Sequence, residues 1–247
     1  LDSTTAANHA MDMIADGADI IDIGGESTRP FSDSVSEEEE LSRVISVIQK
    51  LREETDTVIS IDTTKSSVAD NACNVGANIV NDISALSFDN NMIDVINKHD
   101  CSVILMHIAG NPKIMQENPS YDNIISDIAN HLLDRANFAL KNGVKKHNII
   151  LDPGIGFGKT IDNNFTIIDN MDKFINLGYP VLIGASRKSF IGKTLDVDEN
   201  NRIEGTIASN VVALERGCKI FRVHDIKQAK RALTIANKIF NSNALNT

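Results

Sequence analysis

The sequence predicts an α/β barrel of parallel strands, and three observations carry that prediction. Seven short apolar segments alternate with segments of helical periodicity, and no hairpin turn joins two of the strands. The strand segments are continuous apolar runs, as in sheets that helices cover. A chain of 247 residues has the length of one barrel. We therefore expect residues 1–247 to form a single domain.

Helix and strand segments follow one another from the start of the chain. Apolar residues at helical spacing predict helices over residues 4–16, 36–54, 65–75, 91–98, 121–141, 164–176, 202–216 and 225–241. Apolar runs predict strands over residues 18–25, 58–62, 78–82, 102–107, 149–152, 180–185 and 219–223. Ser36 and Glu39 form a capping-box pattern, and the acidic run from Glu37 to Glu40 is expected to be a solvated first turn.

The strand count falls one short of a (β/α)8 TIM barrel, which has eight strands. Seven are predicted, and the chain begins with a helix. We therefore expect the first strand and its loop to lie upstream of Leu1, which leaves two exposed sheet edges in this chain. A doubly wound open sheet is the alternative architecture.

Composition excludes several classes of function. The net charge is −10, the isoelectric point is near 5.0, and no basic run is present, which argues against a general nucleic-acid or anionic-membrane binder. No apolar stretch has the ~20 residues of a membrane span. Three cysteines without CxxC spacing indicate reduced thiols and a cytoplasmic protein.

Every predicted strand ends in a polar or ionisable residue, and active sites of α/β barrels are built at those ends. Each position alone also has a structural interpretation, such as a helix N-cap, a turn residue or a core histidine. Seven such ends in seven strands favour a functional site. In chain order the positions are Glu26 to Arg29, Asp62, Asn81 with Asp82, His107, Asp152, Ser186 to Lys188, and Arg222 with His224.

Two kinds of chemistry are represented at these strand ends. Asp62, Asn81 and Asp152, opposite the cationic Lys188, suit a flat heterocycle with an amino-pyrimidinone edge. The carboxylates accept from its N–H groups, while the amide and the amine bind ring nitrogens and the carbonyl. A cationic corner suits a leaving diphosphate, because the last helix also begins there. That corner consists of Arg222 and His224, with Arg29 as a further member.

At these residues the chain resembles the dihydropteroate synthases, folate-pathway enzymes that sulfonamides inhibit. The matching motifs run in family order across essentially the whole chain. They are Asp22-Ile-Gly-Gly-Glu-Ser-Thr-Arg-Pro30, Ser60-Ile-Asp-Thr63, Asn81-Asp-Ile83, Leu105-Met-His107, Asp152-Pro-Gly-Ile-Gly-Phe-Gly-Lys159, Gly184-Ala-Ser-Arg-Lys-Ser-Phe-Ile-Gly192 and Arg222-Val-His-Asp225.

The resemblance implies a (β/α)8 barrel that condenses 6-hydroxymethyl-7,8-dihydropterin diphosphate with 4-aminobenzoate. The implied mechanism is dissociative: diphosphate leaves first, and the arylamine attacks the resulting pterin methylene cation. The implied catalytic residues are Asp62, Lys188, Arg222 and His224. The resemblance implies that the pterin is bound by Asp62, Asn81, Asp152 and Lys188, near Met106, Phe157 and Gly184. It implies that the diphosphate is bound by Thr28, Arg222 and His224. The implied neighbours of the aminobenzoate are Ser186, Arg29, Pro30 and Lys188.

The resemblance also implies a magnesium ion bound with the substrate diphosphate, small-molecule substrates as the partners, and a homodimer. The family's asparagine ligand to that ion is expected upstream of Leu1, so no metal ligand is assigned within this chain. With that segment missing, the chain as given is expected to be weakly active or inactive.

Two other functions remain open. A pterin-binding methyltransferase barrel with a corrinoid partner would share the pterin-binding acids, but it has no reason for Ser186 to Lys188 together with Arg222 and His224. A pterin-binding barrel that has lost catalysis is favoured by the missing first strand and opposed by the intact cationic corner.

Overall fold

The structure is a computed structural model that describes residues 2–27, 34–110 and 119–242. Strands and helices alternate along these ranges, as predicted. The strands are β1 (Ile20–Gly24), β2 (Val58–Asp62), β3 (Ile79–Asp82), β4 (Ser102–Met106), β5 (Ile149–Asp152), β6 (Leu182–Ile183) and β7 (Ile220–Phe221). The helices are α1 (Ser3–Ala15), α2 (Glu37–Glu54), α3 (Ser66–Asn74), α4 (Met92–His99), α5 (Ile124–Lys141), α6 (Ile161–Asp169), α7 (Met171–Ile175), α8 (Ser189–Leu195), α9 (Ile203–Glu215) and α10 (Ile226–Asn241).

The strand order is that of a barrel. Strands β1 to β5 pair in parallel, each with the next in sequence, and β6 pairs in parallel with β7. A parallel bridge from Leu151 to Val181 connects β5 to the start of β6. Beyond β7, the side chain of Arg222 reaches Asp22 of β1 at 2.6 Å, so the two ends of the strand series face each other. A doubly wound sheet reverses its strand order at a switch point, and this chain does not. The predicted barrel class is confirmed.

Apolar residues fill the space on both sides of the strands. The outer core packs strand residues such as Val103 and Leu151 against the helices, which supply Ile48, Ile128 and Phe174. A smaller inner layer lies within the barrel and consists of Ile79, Ile104, Ile150 and Leu182, with Ile220 against it. Strands β2 to β6 thus bury most of both faces, which explains their largely apolar runs.

Two helix predictions need correction, and one helix was not predicted. The helix predicted over residues 164–176 is two helices, α6 and α7, because Asn170 leaves helical geometry at φ −108° and ψ 26°. The helix predicted from residue 121 begins at Ile124, where the Asn123 side chain accepts from the Ser126 N–H and caps the first turn. The sequence pattern missed α8 altogether, because seven residues are too few for a periodic signal.

The prediction of a solvated acidic turn is wrong at Glu40. Ser36 does cap α2, accepting from the Glu39 N–H at 3.2 Å. Glu40, however, is fully buried, and one of its carboxylate oxygens lies 2.5 Å from Lys65 Nζ. The turn packs beneath Gly25, where a Cβ atom would lie 2.8 Å from Glu40 Cγ. An ion pair between a buried glutamate and a partly exposed lysine therefore replaces one of the four expected surface charges.

Candidate active site

Side chains point alternately to the two faces of each strand, and this brings the predicted residues to one mouth of the barrel. Side chains two positions apart on a strand share a face. Five site residues lie two positions beyond an inner-layer residue and so point into the barrel at the carboxyl ends of the strands. They are Asn81 after Ile79, Met106 after Ile104, Asp152 after Ile150, Gly184 after Leu182 and Arg222 after Ile220.

One half of this mouth is formed by β1, β2 and β7, and we call it the arginine side; it consists of Asp22, Asp62 and Arg222. Arg222 Nε lies 2.6 Å from Asp22 Oδ2, and Nη2 lies 3.4 Å from Asp62 Oδ2. The register sets Asp62 beside Asn81 of β3, whose amide lies 3.5 Å from Asp22 Oδ2. Two carboxylates therefore share one guanidinium, and the other oxygen of Asp22 is buried without a hydrogen-bond partner.

The arginine side changes the acidity of its members. Burial, and then the charge of Asp22, raise the pKa of Asp62 to about 7. Burial works against the charge of Arg222, but the neighbouring carboxylates Asp22 and Asp62 outweigh it and raise the pKa of the guanidinium. Near neutral pH, Arg222 is charged and Asp62 takes up or releases a proton with small changes in its surroundings.

The other half of the mouth lies at β5 and β6, and we call it the lysine side; it consists of Asp152, Lys159 and Lys188. Asp152 Oδ1 accepts from the Gly154 N–H at 2.7 Å, so the turn that follows β5 satisfies the carboxylate. Burial raises the pKa of Asp152 to about 6, while the Gly154 N–H and the charge of Lys188 oppose that rise. Asp152 is therefore ionised at neutral pH and faces two amines.

An apolar wall stands beside Asp152. Met106, which is the register partner of Asp152, packs with Ile83 and Ile108, and Phe157 lies against this cluster. Lys188 Nζ lies over the Phe157 ring, 4.3 Å from its centroid, in cation–π geometry. The wall and the carboxylate together form a surface for a flat ring with a polar edge.

Ser186 and His224 meet at the start of α10. The Ser186 hydroxyl accepts from the His224 N–H at 3.1 Å and lies 3.0 Å from His224 Nδ1. Burial, and then the charges of Arg222 and Arg187, lower the pKa of His224, so its ring is neutral at pH 7. Within the predicted cationic corner, Arg222 therefore carries the larger share of the positive charge.

An ion pair that no sequence pattern predicted holds this corner together. Arg187 donates to Asp225 through Nε at 3.0 Å and Nη2 at 2.6 Å, which is a bidentate pair between the Ser-Arg-Lys turn and the first residue before α10. Arg187 has a left-handed backbone with φ 54°. Both residues stand in the quoted motifs, but no pattern in the sequence indicates that they contact each other across 38 positions.

Three further residues were also missed or left undecided. Asp22 was not assigned a role, although an acid inside an apolar run is a usable signal. His107 is a buried histidine next to Lys159, behind the apolar wall, so the structure supports its interpretation as a core residue. Asp82 is likewise structural, since its carboxylate accepts from the Ser84 and Leu86 N–H groups.

Three predicted site residues, Thr28, Arg29 and Pro30, lie outside the described residues. Within the described ranges, no group of three or more His, Cys, Asp or Glu side chains is arranged to hold a metal ion. No helix among these residues has the length and apolar character needed to cross a bilayer.

Comparison with known proteins gives a consistent result. Residues 1–224 match the model of a family described as pterin binding enzyme. The dihydropteroate synthase of Bacillus subtilis is 44% identical over 233 residues, which cover 94% of this chain and 79% of that protein.

Solved structures agree with the sequence comparison. The dihydropteroate synthase of Yersinia pestis, solved with a sulfonamide drug complex, superposes with a TM-score of 0.94 at 37% identity, covering 96% of this chain and 86% of the other. That of Xanthomonas albilineans, solved with 4-aminobenzoic acid, gives a TM-score of 0.91 at 35% identity and covers 96% and 85% of the two chains.

Proposed function

Because this chain belongs to the family of pterin binding enzymes, we propose that it works as a dihydropteroate synthase in folate biosynthesis. It joins 6-hydroxymethyl-7,8-dihydropterin diphosphate to 4-aminobenzoate and releases 7,8-dihydropteroate and diphosphate. The observation that carries this proposal is the shared inward face at the strand ends, which gathers Asp62, Asn81, Asp152 and Arg222 at one mouth.

Asp152 and Lys188 of the lysine side, together with Asn81, recognise the pterin. Asp152 is ionised and accepts from the amino group and ring N–H of the pyrimidinone edge, while the Asn81 amide and Lys188 bind ring nitrogens and the carbonyl. The cluster of Met106 with Phe157 provides an apolar face on which the ring packs, and Gly184 leaves room beside it because it has no side chain.

The arginine side stabilises the charges that appear when the carbon–oxygen bond breaks. Arg222 and the neutral His224 donate hydrogen bonds to the departing diphosphate, together with Thr28. Ionised Asp62 lies on the same side of the mouth, 3.4 Å from Arg222 Nη2, and stabilises the positive charge that develops on the pterin methylene group. The arylamine nitrogen then forms the new carbon–nitrogen bond and loses its proton, so the protein supplies no covalent nucleophile.

The aminobenzoate lies at the rim of the mouth. Its proposed neighbours are Ser186 and Lys188 beyond the end of β6, with Arg29 and Pro30. Ser186 is buried and hydrogen-bonded to His224, so it is held rigidly beside the diphosphate corner. This arrangement brings the attacking amine close to the carbon that the diphosphate leaves.

A magnesium ion accompanies the diphosphate in this proposal. The described side chains do not form a cage for a resident ion, and Mg²⁺ commonly keeps several water ligands and binds through substrate phosphates. We assign no reaction step to the ion. Removal of Mg²⁺ with EDTA is expected to weaken binding of the pterin diphosphate and to leave binding of 6-hydroxymethylpterin, which has no phosphate, unchanged.

The chain also has features that suit a cytoplasmic homodimer. All three cysteines are free thiols, and Cys101 and Cys218 are buried. Apolar side chains stand exposed on the neighbouring helices α9 and α10, where Val212, Ile235, Ile239 and Phe240 are accessible. A second copy covering this surface would remove it from water. Light scattering is expected to give twice the chain mass, and the substitution Ile235→Glu is expected to give a monomer.

Release of diphosphate in the presence of both substrates tests the proposal. We expect release to depend on 4-aminobenzoate and to produce dihydropteroate in equal amount. Lys188→Ala is expected to weaken binding of the pterin diphosphate by about tenfold, because a charge-assisted hydrogen bond is lost. Diphosphate release that does not depend on 4-aminobenzoate contradicts the proposal. Unchanged affinity of the Lys188→Ala variant for the pterin diphosphate also contradicts it.

A further inference from the structure

A second lysine of the mouth is buried behind the pterin wall and has no role in the mechanism above. Lys159 is only 4% exposed and ends the glycine-rich turn after β5. Its Nζ lies 2.9 Å from the carbonyl oxygen of Phe157, 3.0 Å from His107 Nδ1 and 3.4 Å from the His107 carbonyl oxygen. One amine thus connects two segments that carry pocket residues.

Both of these segments end at the proposed pterin pocket. His107 directly follows Met106, and Phe157 forms the other part of the apolar wall. The turn approaches β4 so closely that a Cβ atom on Gly154 would lie 2.0 Å from the His107 carbonyl oxygen. The His107 N–H in turn donates to the Asp152 carbonyl oxygen at 2.9 Å. Lys159 therefore connects Met106, Asp152 and Phe157 through backbone groups next to each of them.

Burial of a lysine is unfavourable unless its amine is satisfied, so the contacts of Lys159 must offset a desolvation cost. Burial lowers the pKa of Lys159 to about 7, opposed by the charge of Asp152 and assisted by that of Lys188. Burial, and then the charge of Lys159, lower the pKa of His107 to about 2, so its ring is neutral and Nδ1 accepts the hydrogen bond. His131 closes the far side, with its ring edge-on to His107 at 4.9 Å.

We propose that Lys159 is a positioning residue for pterin recognition, which holds Phe157 and the end of β4 at the spacing that accepts the ring. The proposal deepens the proposed function and rests on it. Lys159 does not contact the substrate in this arrangement; it acts through the Phe157 carbonyl and through His107. A residue of this kind is expected to change pterin affinity and to leave aminobenzoate affinity nearly unchanged.

The test compares Lys159→Met with Lys173→Met, a matched control at an exposed lysine of α7. Binding of 6-hydroxymethylpterin is measured by calorimetry, and KM is measured for both substrates. Lys159→Met is expected to weaken pterin binding about tenfold, since small displacements of a binding group are costly, and to change the KM of aminobenzoate by less than about twofold. The control is expected to match the wild-type protein.

A double-mutant cycle separates positioning from general loss of stability. In a Phe157→Ala background, the effect of Lys159→Met on pterin affinity is expected to shrink from about tenfold to about threefold or less. The ring that Lys159 positions is then absent, and only its contacts with the end of β4 remain. Lys159→Arg keeps the charge and the donors and is expected to recover part of the affinity. Lys159→Gln serves as the second variant if the methionine variant does not fold, with an expected loss of about fivefold.

Three results overturn the inference. One is wild-type pterin affinity in a folded Lys159→Met or Lys159→Gln protein. Another is an equal loss of affinity with and without the Phe157 ring, which indicates a purely structural role. The third is a wild-type protein that does not bind 6-hydroxymethylpterin, which overturns the proposed function and this inference with it.

Discussion

Each side of the barrel mouth contains a buried aspartate, and the surroundings raise the pKa of the two carboxyl groups to different extents. On the lysine side, Asp152 accepts a backbone hydrogen bond and faces two amines, so its pKa rises only to about 6. On the arginine side, Asp62 shares Arg222 with Asp22, and its pKa rises to about 7. The lysine side is electrostatically satisfied, as recognition of a neutral ring requires. The arginine side has an excess of carboxylate, which favours a positive charge developing nearby.

Removal of the shared guanidinium is expected to give the largest effect. Arg222→Met takes away a donor to the departing diphosphate, and we expect kcat/KM for the pterin diphosphate to fall by about 10²- to 10³-fold. The variant also leaves Asp22 and Asp62 facing each other. Loss of the Arg222 charge raises the pKa of Asp62 further, so ionised Asp62 is less stable in the folded variant. Urea unfolding is therefore expected to show a greater loss of stability at pH 8 than at pH 5.

The matched control is Arg216→Met, at an arginine on the outer surface that pairs with Asp169. Its kcat/KM is expected to equal that of the wild-type protein. A fall of less than about threefold for Arg222→Met would remove the basis for assigning diphosphate departure to the arginine side.

On the lysine side, Asp152→Ala is expected to weaken binding of 6-hydroxymethylpterin by about 100-fold, close to 3 kcal/mol, because two hydrogen bonds to a charged acceptor are lost. Calorimetry measures the change. Asp169→Ala, at an exposed acid, is the control and is expected to bind normally. Equal affinity of the wild-type protein and the Asp152→Ala variant contradicts the assignment of Asp152 to pterin binding.

The charge of Asp22 gives a smaller effect, which is seen in the pH profile. Asp22→Asn removes the second cause of the raised pKa of Asp62, so that pKa falls from about 7. Since the ionised form of Asp62 stabilises the pterin cation, activity rises as pH increases through this pKa. The acidic limb of the kcat profile is expected to move to lower pH by about one unit.

Asp19→Asn is the control for that measurement, because Asp19 immediately precedes β1 and pairs with Lys230 in the solvent. Its acidic limb is expected to coincide with that of the wild-type protein. If Asp22→Asn behaves in the same way as Asp19→Asn, the two carboxylates do not interact as the arginine side requires.

The smallest expected effect lies outside the mouth. Lys230→Ala breaks an ion pair of 2.6 Å whose side chains are 47% and 82% exposed. Exposed pairs contribute little, so the free energy of unfolding is expected to change by less than about 0.5 kcal/mol. The change is measured by urea unfolding. A larger loss of stability would contradict the distinction between buried and exposed charges on which the other predictions depend.

The strands and most of the mouth were predictable from the sequence because their signals are local. Asp152 and Asn81 follow apolar runs directly, and a period of two settles which way they point. The barrel order was also accessible, since alternating strands and helices leave few parallel arrangements.

Other features depend on distant parts of the chain and have no local signal. The Arg187–Asp225 pair and the contacts of Lys159 form only when separate loops pack together. The burial of Glu40 depends on the position of Lys65, 25 residues away, so its acidic neighbours gave a misleading pattern. The neutral state of His224 likewise follows from burial and from nearby arginines, which the sequence does not place.

The alternation that directs Asn81, Asp152 and Arg222 inward also limits how the mouth can change over evolutionary time. Each of these residues has a strand neighbour that supports either the inner layer or the outer core, so a shift of the strand would disturb packing on both faces. Substitutions that preserve folding while changing what the mouth binds are therefore expected mainly in the connecting segments beyond the strand ends. Sequence change should accumulate at the rim of the mouth and spare the inward-facing strand residues.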